Sequence, residues 1–586
     1  MKKIITLICL ATSLATVAQS SNFENYSNFE ATTNGNMIVT AMTKDNLGNT
    51  YLTGRLIETV DFDPGIGVTL ITSQPTSNYN TFILKLGAND QLIWVKTIKS
   101  DSLNQRDITI DNLGNVLITG TYSFTFDIDP SDNVFELPTP VNSGFDGYIL
   151  KLNNNGDFVW AKTLGSFGSE IGTAITTDSQ GNVLTIGNYS KTADFDPGPN
   201  VVLLTGTFGN FDDNIFVSKL DPNGNFIWVR GYLTKESNEF IKDIKTDSND
   251  AIYILDRFGN NITFEQGNPL ASLVTSNNGG FVVVTDPFIL KLSSAGNFIW
   301  AKNIGTFGTD TGHHLALDTT GNIYAAISCE AGTVDCDPGV GVFNLTSTTP
   351  FGLVLKMNNN GQFITAFKIE SSINATCVGI AVEANENVII TGNYSGTSNF
   401  GTSLNPASIT SIAPNKSLYI ARYDNTNTLI NLKNVNTETF PTAVGLIEPK
   451  DVIIDNLNRV QVVSNYLTTI TLSKNGEPLT TFSTSLVGDR RFFKIIDPML
   501  TNNLYNYNFK QTANINIYPN LTNSILNIDI SENATLQITD LLGKTVLEKS
   551  ITSGKNTFTI EALPTGMYIS KIQNENGIYN QKIMKN

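Results

Sequence analysis

The sequence predicts an all-β protein: a seven-bladed β-propeller of four-stranded antiparallel blades, followed by a small immunoglobulin-like β-sandwich. Three observations predict it. Two unrelated sequence markers each recur seven times along the chain. No segment sustains a helical period. Charged residues make up only 15% of the chain, so Asn, Thr, Ser and Gly must supply the polar surface, as in turn-rich β proteins.

The first marker reads DNLGNTYLTG at 45–54. It returns as DNLGNVLITG at 111, DSQGNVLTIG at 178, DSNDAIYILD at 247, DTTGNIYAAI at 318, EANENVIITG at 383 and DNLNRVQVVS at 455. The second reads FILKL at 82, then YILKL at 148, FVSKL at 216, FILKL at 288, LVLKM at 353, YIARY at 419 and FFKII at 492. A short Gly/Asn turn follows each, then an apolar strand such as QLIWVK at 91–96. Each unit therefore holds four strands, joined in pairs by Asp/Asn/Gly hairpins. Such units at a fixed period are the pattern of propeller blades, which radial closure shields from edge pairing. A linear β-solenoid is the rival.

Columns of the repeat predict the packing. Three residues before the first-marker acid stand Met42, Ile108, Ile175, Ile244, Leu315, Ile380 and Val452, which must face a neighbouring blade. The cationic column is Lys85, Lys151, Lys219, Lys291, Lys356, Arg422 and Lys494, and Trp94, Trp160, Trp228 and Trp300 lie on the strand that hairpins back. A cation–π contact between Lys85 and Trp94 is expected. A further apolar pair runs through the repeat, for example Tyr189 with Phe195. In the fifth unit it is replaced by Cys329 and Cys336, for which a disulfide is expected in an exported chain. Cys377 is then a buried strand residue.

Two sets of residues could carry chemistry. DFDPG at 61, DIDPS at 127, DFDPG at 194 and DCDPG at 335 pair the carboxylates of Asp61 with Asp63, Asp127 with Asp129, Asp194 with Asp196 and Asp335 with Asp337. Ca²⁺ would take such oxygens. An Asp–Pro–Gly turn is the preferred reading, and no other cofactor is expected. Four residues before the first-marker acid stand Ala41, Asp107, Ala174, Asp243, His314, Gly379 and Asp451. Asp107, Asp243, His314 and Asp451 form a candidate polar site at the channel mouth, where Asp243 and His314 could act as an acid–base couple. Polar lining of a wet channel is the preferred reading. Phosphate loops, nucleophile elbows and zinc signatures are missing, so no catalytic residue is assigned.

The formal net charge of −16 excludes nucleic acid as a natural partner. Lys2 and Lys3 precede an apolar run from Ile4 to Ala15, the pattern of a secretion signal over 1–18, cleaved after Ala18. No later run is long enough to span a membrane. The organisation read from the sequence is an N-terminal segment at 19–35, the propeller at 36–509, a linker at 510–514 and a C-terminal domain at 515–586.

In that last domain, Tyr518-Pro519-Asn520, the DLLGK around Gly543, the LPTGMY containing Gly566 and Tyr568, and the closing QKIMK resemble the type A C-terminal sorting domain of the type IX secretion system. Leu521 stands where that family usually has a second proline. The resemblance implies export through the periplasm and outer membrane of a Gram-negative cell. It also implies handling by the secretion machinery and its sortase, and release or surface attachment. GNxYxTG, DFDPG and LKLxxxGxFxWAK likewise resemble the SBBP (beta-propeller) repeat family. A secreted or cell-surface monomer is expected, with the propeller a non-catalytic binding or adhesion module for an extracellular glycan or protein. A polysaccharide-acting enzyme and a structural surface-layer component are the alternatives.

Overall fold

The computed structural model describes residues 19–585 apart from 21, 24, 30–35, 66, 74–78, 101, 139, 141–143, 166–167, 207–213, 236–242, 266, 276–283, 402–406, 412–414, 438–445, 468, 475–479, 483–489, 498–515, 519–520, 523, 531–532, 541–543 and 575–576. The signal segment and the 510–514 linker lie outside the described residues. The chain divides into two compact units, Met1–Thr501 and Asn502–Asn586.

The first unit is all-β and propeller-like. Its leading sheet orders Asn36–Lys44, Thr50–Ile57, Asn80–Leu86 and Leu92–Ile98, each antiparallel to the next. The same four-strand order restarts at Asn104, Glu170, Asp243, Thr311 and Gly379. The second and third strands of the leading sheet are buried along nearly their whole length, while its outer strand is mostly half-buried. That is why the inner segments read as unbroken apolar runs. In the marker turns headed by aspartate the carboxylate accepts two backbone amides. Asp45 Oδ1 takes Leu47 N–H and Asn49 N–H, both at 2.9 Å, and Gly48 turns the chain at φ 85°. The glycine closing GNxYxTG instead makes room for a neighbouring strand, since a Cβ on Gly187 would come 1.8 Å from the Ile171 carbonyl.

The last sheet departs from the sequence reading. Ile447–Ile454, Val460–Tyr466 and Arg491–Asp497 supply three strands, and the outer fourth is Asn25–Asn28, from the segment preceding the first repeat. The segment NYSN carries no repeat marker and no apolar alternation, so nothing in its composition predicts that place. Between residues 19 and 28 the chain also pairs with strands at Leu432–Lys433 and Ser473–Lys474.

Neighbouring sheets interlock through the cationic column. Lys151 donates to Pro222 O at 3.1 Å and pairs with Asp111 at 3.0 Å. Lys219 reaches Ser294 O at 3.1 Å, and Lys291 reaches Asn359 O at 2.9 Å. Each carbonyl belongs to the last hairpin turn of the following sheet. The expected contact with tryptophan is replaced: Lys85 sits over the Tyr51 ring at 5.1 Å, and the Trp94 indole N–H donates to Asn154 O at 3.1 Å. Lys85 and Trp94 are direct cross-strand partners, so both point at the same turn of the next sheet. The apolar column behaves as expected; Met42, Ile108, Ile175, Ile244, Leu315, Ile380 and Val452 are all buried.

The second unit holds two sheets. One orders Asn516–Tyr518, Ile525–Ile530 and Gly554–Thr559. The other orders Leu521–Thr522, Gly577–Lys585, Gly566–Asn574, Ala534–Asp540 and Thr545–Ile551. Leu526, Ile528, Leu536, Ile538, Tyr568 and Ile583 share one core.

Candidate functional site

The innermost strands carry the polar column. In several of them the register slips at one place: between Val39 and Ala41, Gln105 and Asp107, Gly172 and Ala174, Gly312 and His314, and Pro449 and Asp451. An extra residue bends a strand and re-aims the side chains after it. The re-aimed residue is the one four before the marker acid.

Where that residue is aspartate, its carboxylate clips backbone amides. Asp107 accepts from its own neighbour Ile108 N–H and from Ile175 N–H of the following sheet, both at 2.8 Å. Asp243 does the same with Ile244 N–H and Leu315 N–H, again at 2.8 Å. Asp451 accepts from Val452 N–H at 2.7 Å.

Asp243 also gathers charge. Lys245 Nζ lies 2.6 Å from one carboxylate oxygen, and His314 Nδ1 lies 3.6 Å from the other. The Lys245 side chain is 42% exposed and that of His314 27%, against 5% for Asp243. The Lys245 and His314 heads therefore line solvent above a covered acid. Burial pushes the Asp243 carboxyl up, but the Lys245 ammonium and His314 outweigh it and hold it down at about 2. Burial lowers both Lys245 and His314, and Asp243, with Asp451 also contributing, lifts both above their ordinary values. Burial raises Asp107 to about 6, and raises Asp451 as well.

The residues singled out in the sequence thus do come within electrostatic reach, and Lys245 joins them. Lys245 stands two residues after Asp243, on the same side of one strand, so period-two reading could have found it. Chemically the cluster is a backbone clip, with Asp243 holding amides of two neighbouring sheets. An acid held at about 2, with both oxygens already hydrogen-bonded, is a weak proton acceptor at neutral pH.

The paired carboxylates that offered the calcium alternative each spend Oδ1 on backbone amides of their own turns. Asp61 Oδ1 accepts from Asp63 N–H at 3.1 Å and Thr69 N–H at 2.8 Å, and Asp63 Oδ1 from Gly65 N–H at 2.8 Å. In the second repeat Asp127 Oδ1 accepts from Asp129 N–H at 3.0 Å and Phe135 N–H at 2.9 Å, and Asp129 Oδ1 from Ser131 N–H at 2.9 Å. In the third, Asp194 Oδ1 holds Asp196 N–H at 3.1 Å and Val202 N–H at 2.8 Å, while Asp196 Oδ1 holds Gly198 N–H at 2.8 Å. In the fifth, Asp335 Oδ1 holds Asp337 N–H at 3.1 Å and Phe343 N–H at 2.8 Å, while Asp337 Oδ1 holds Gly339 N–H at 2.8 Å. Asp63, Asp129, Asp196 and Asp337 are thus turn-capping acids. Among the described residues no group of three or more His, Cys, Asp or Glu is placed to hold a metal ion. A pair of carboxylates falls short of the six to eight oxygens that Ca²⁺ takes.

The disulfide expectation is corrected. Cys329 and Cys336 are buried free thiols, packed with Val334, Phe351 and Leu353 in one apolar cluster. They fill the space of the aromatic pair, which Tyr189 and Phe195 occupy in the third unit with ring centroids 5.7 Å apart. Cys377 is buried and free, but it lies between the strands Asn374–Ala375 and Gly379–Val382 rather than in a strand. Of the sorting motif, Tyr568 is buried and its hydroxyl donates to Pro564 O at 2.8 Å, pinning a chain corner. Gly566 opens a strand and Tyr518 closes one, while Pro519, Asn520 and Gly543 lie outside the described residues.

Residues 516–586 match the family model of the secretion system C-terminal sorting domain. The chain is therefore exported by type IX secretion to the cell surface or the extracellular space. No described helix is long and apolar enough to cross a membrane. An uncharacterized WD repeat-containing protein of Acanthamoeba polyphaga mimivirus is 23% identical over 369 residues, 52% of this chain and 26% of the relative. The chain thus spans about a quarter of that relative's length. Similar solved structures include a catalytically inactive virginiamycin B lyase from Staphylococcus aureus (12% identity, 80% of this chain and 99% of that one, TM-score 0.32). They also include an ulvan lyase (10%, 81% and 96%, 0.36) and a Dyadobacter fermentans protein of unknown function (10%, 81% and 99%, 0.33). At these scores the likenesses say nothing about the site.

Proposed function

We propose that the chain is an exported binding protein. On this reading the sheets close into a seven-bladed ring related to SBBP repeats, and the sorting domain hands it to the type IX machinery and its sortase. The ring then holds an extracellular glycan or protein without turning it over. Closure is supported by bonds between the leading and last sheets: Asn465 of the last sheet grips both Val39 N–H and Val39 O of the leading one at 2.9 Å.

The observation that carries the binding reading is a contrast between the two ends of the sheets. At one end the marker turns tie their acids to their own amides. What those turns expose is single leucines, Leu47, Leu113 and Leu457; at the other end, connections between the second and third strands and between sheets leave aromatic rings in water: Phe124 67%, Phe145 49% and Phe307 74% exposed. Exposed rings on loops of a rigid scaffold are contact surface. The clipped carboxylates of Asp107 and Asp243 favour binding over catalysis.

The test is retention of the mature chain on glycan arrays and whole cells, with Phe145→Ala and Phe307→Ala beside it. Retention that falls in the variants, with no new chain ends in the bound glycan, supports the reading. Glycan cleavage would replace it with the enzyme alternative, and no retention on any surface would overturn it.

A further inference from the structure

In the first five repeats the residue six after the marker acid decides what the column lysine meets. In the second and third it is Leu117 or Leu184, and the acid's second oxygen takes the lysine: Lys151 pairs with Asp111 at 3.0 Å and Lys219 with Asp178 at 2.8 Å. In the first, fourth and fifth it is a tyrosine, whose hydroxyl donates to that oxygen instead. Tyr51 reaches Asp45 at 3.0 Å, Tyr253 reaches Asp247 at 3.0 Å and Tyr324 reaches Asp318 at 3.2 Å. The lysine then lies over the phenol ring. Lys356 finds another carboxylate, Glu386 of the next sheet, at 2.8 Å. Among the described residues, neither Lys85 nor Lys291 forms an ion pair with a carboxylate; each donates to the next sheet's turn.

Burial lowers both amines below their ordinary value, and Asp45 and Asp247 offset only part of it. The two lysines differ in what they touch. Lys291 donates to a backbone carbonyl, Asn359 O, at 2.9 Å. Lys85, 5% exposed, donates to Asn154 O at 3.2 Å and also to the side-chain oxygen Asn154 Oδ1. The Tyr51 hydroxyl stands 3.1 Å from that same Oδ1 and 3.0 Å from Asp45 Oδ2. A covered amine, a carboxamide, a hydroxyl on the carboxamide oxygen and an acid behind the hydroxyl therefore meet at one place. The turn that carries Asn154 is clamped there. Trp94 N–H donates to Asn154 O at 3.1 Å, and a Cβ on Gly156 would come 3.3 Å from Cδ2 of the Trp94 ring. Groups held in such a frame react as parts of one molecule, without the entropy cost of an encounter.

We propose that Lys85 and Asn154 join in a side-chain amide that ties the first sheet covalently to the second. Lys85 Nζ attacks Asn154 Cγ, the Tyr51 hydroxyl donates to Oδ1 as negative charge grows on it, and the bond from Cγ to Nδ2 breaks. Lys85 sheds two protons, the leaving nitrogen gains two, and ammonium departs; nothing is oxidised or reduced. Asp45 touches none of the reacting atoms and positions the Tyr51 hydroxyl. Asn154 is exposed, so the leaving group has an open way to water. Lys151 and Lys219 meet only backbone carbonyls in their turns and keep their acids, so they stay unjoined.

The test is peptide mapping of the full mature chain by mass spectrometry. The expected product is a branched tryptic fragment that joins the Lys85 and Asn154 peptides and is lighter by one ammonia than the two together. Trypsin should leave the chain uncut after Lys85. Lys85→Arg, which keeps the charge, should abolish the fragment and lower the melting temperature. Tyr51→Phe should slow the fragment's appearance in freshly made protein by about tenfold or more. So should Asp45→Asn, whose side chain still caps a turn as Asn153 does. Complete cleavage after Lys85 with Asn154 unmodified would overturn the crosslink, and so would ammonia loss with no branched fragment. An unchanged rate in both Tyr51→Phe and Asp45→Asn would overturn the assisted reaction. No ligand enters these readouts, so the binding reading stands or falls apart from them.

Discussion

Lys494, fully buried in the last sheet, donates to the carboxylate of Asp90 in the final hairpin turn of the first sheet, 404 residues away in sequence. Lys151 and Lys291 reach the corresponding turns through the carbonyls of Pro222 and Asn359; Lys494 reaches its turn through a carboxylate, between the last sheet and the first. Removing one member of a buried pair strands the other charge, at about 3–5 kcal/mol. Lys494→Ala and Asp90→Ala should therefore each lower the melting temperature of the first unit by many degrees. The double variant should lose less than the sum. Thermal melts of the three variants check this, and additive losses would refute the pairing.

Asp146 gives a pH dependence. It is 5% exposed, one carboxylate oxygen has no hydrogen-bond partner, and burial raises its pKa from 3.8 to about 6. A carboxyl whose folded value exceeds its unfolded one holds its proton more tightly in the fold. Its contribution is fully present below pH about 4 and is lost as the pH rises through about 6. Burial raises Asp107 and Asp310 to about 6 as well, with the same sign. Asp146→Asn should stabilise the chain by about 2 kcal/mol at pH 7.5 and leave it nearly unchanged at pH 4. Denaturant midpoints at the two pH values decide it, and an equal effect at both would contradict the assignment.

The thiols offer a chemical check. Burial pushes Cys336 and Cys377 up to about 12 and Cys329 well above its ordinary range. A thiol protonated and out of solvent does not attack disulfide reagents. The mature chain should release no thiol to Ellman's reagent when folded and three when denatured without reductant. Only one on denaturation would mean that Cys329 and Cys336 had been oxidised to a disulfide after all.

Whatever repeats was legible in the sequence. The marker acids, the apolar column and the cationic column recur at fixed spacing, so one unit interprets the others. Two features escaped because they occur once, and a third because it joins two repeats. Asn25–Asn28 carries no marker, and its partner strand lies at Arg491–Asp497, far along the chain. Lys245 stands where the other units place Thr, Ala or Ile, so the column looked unimportant. The partner of Lys85 was assigned within its own hairpin, but the twist of neighbouring sheets turns it onto Asn154 of the next. The second carboxylates of the long loops, Asp63, Asp129, Asp196 and Asp337, could be read as turn acids or as metal ligands until their amide partners were placed. Repeats disclose the local frame; contacts between units need coordinates.

The N-terminal strand carries the last prediction. Ser27 Oγ donates to Asp90 Oδ2 at 2.6 Å, so Asp90 receives both Ser27 and Lys494. Phe29, 1% exposed, stacks on Phe492 of the last sheet at 4.7 Å between ring centroids, inside a cluster that includes Leu52 and Phe82 of the first. One short segment thus touches both ends of the array. A chain lacking residues 19–29 would leave Arg491–Asp497, buried along its length, as an open apolar edge, and such edges aggregate. The truncated protein should melt lower and self-associate in light scattering, and a peptide of residues 19–29 added in excess should reverse both. Phe29→Ala, which keeps the strand, should cost about 3–5 kcal/mol without self-association. If the truncated chain melted like the intact one, the segment would be an ornament on the last sheet, and the contacts at Asp90 would not be what holds the two ends together.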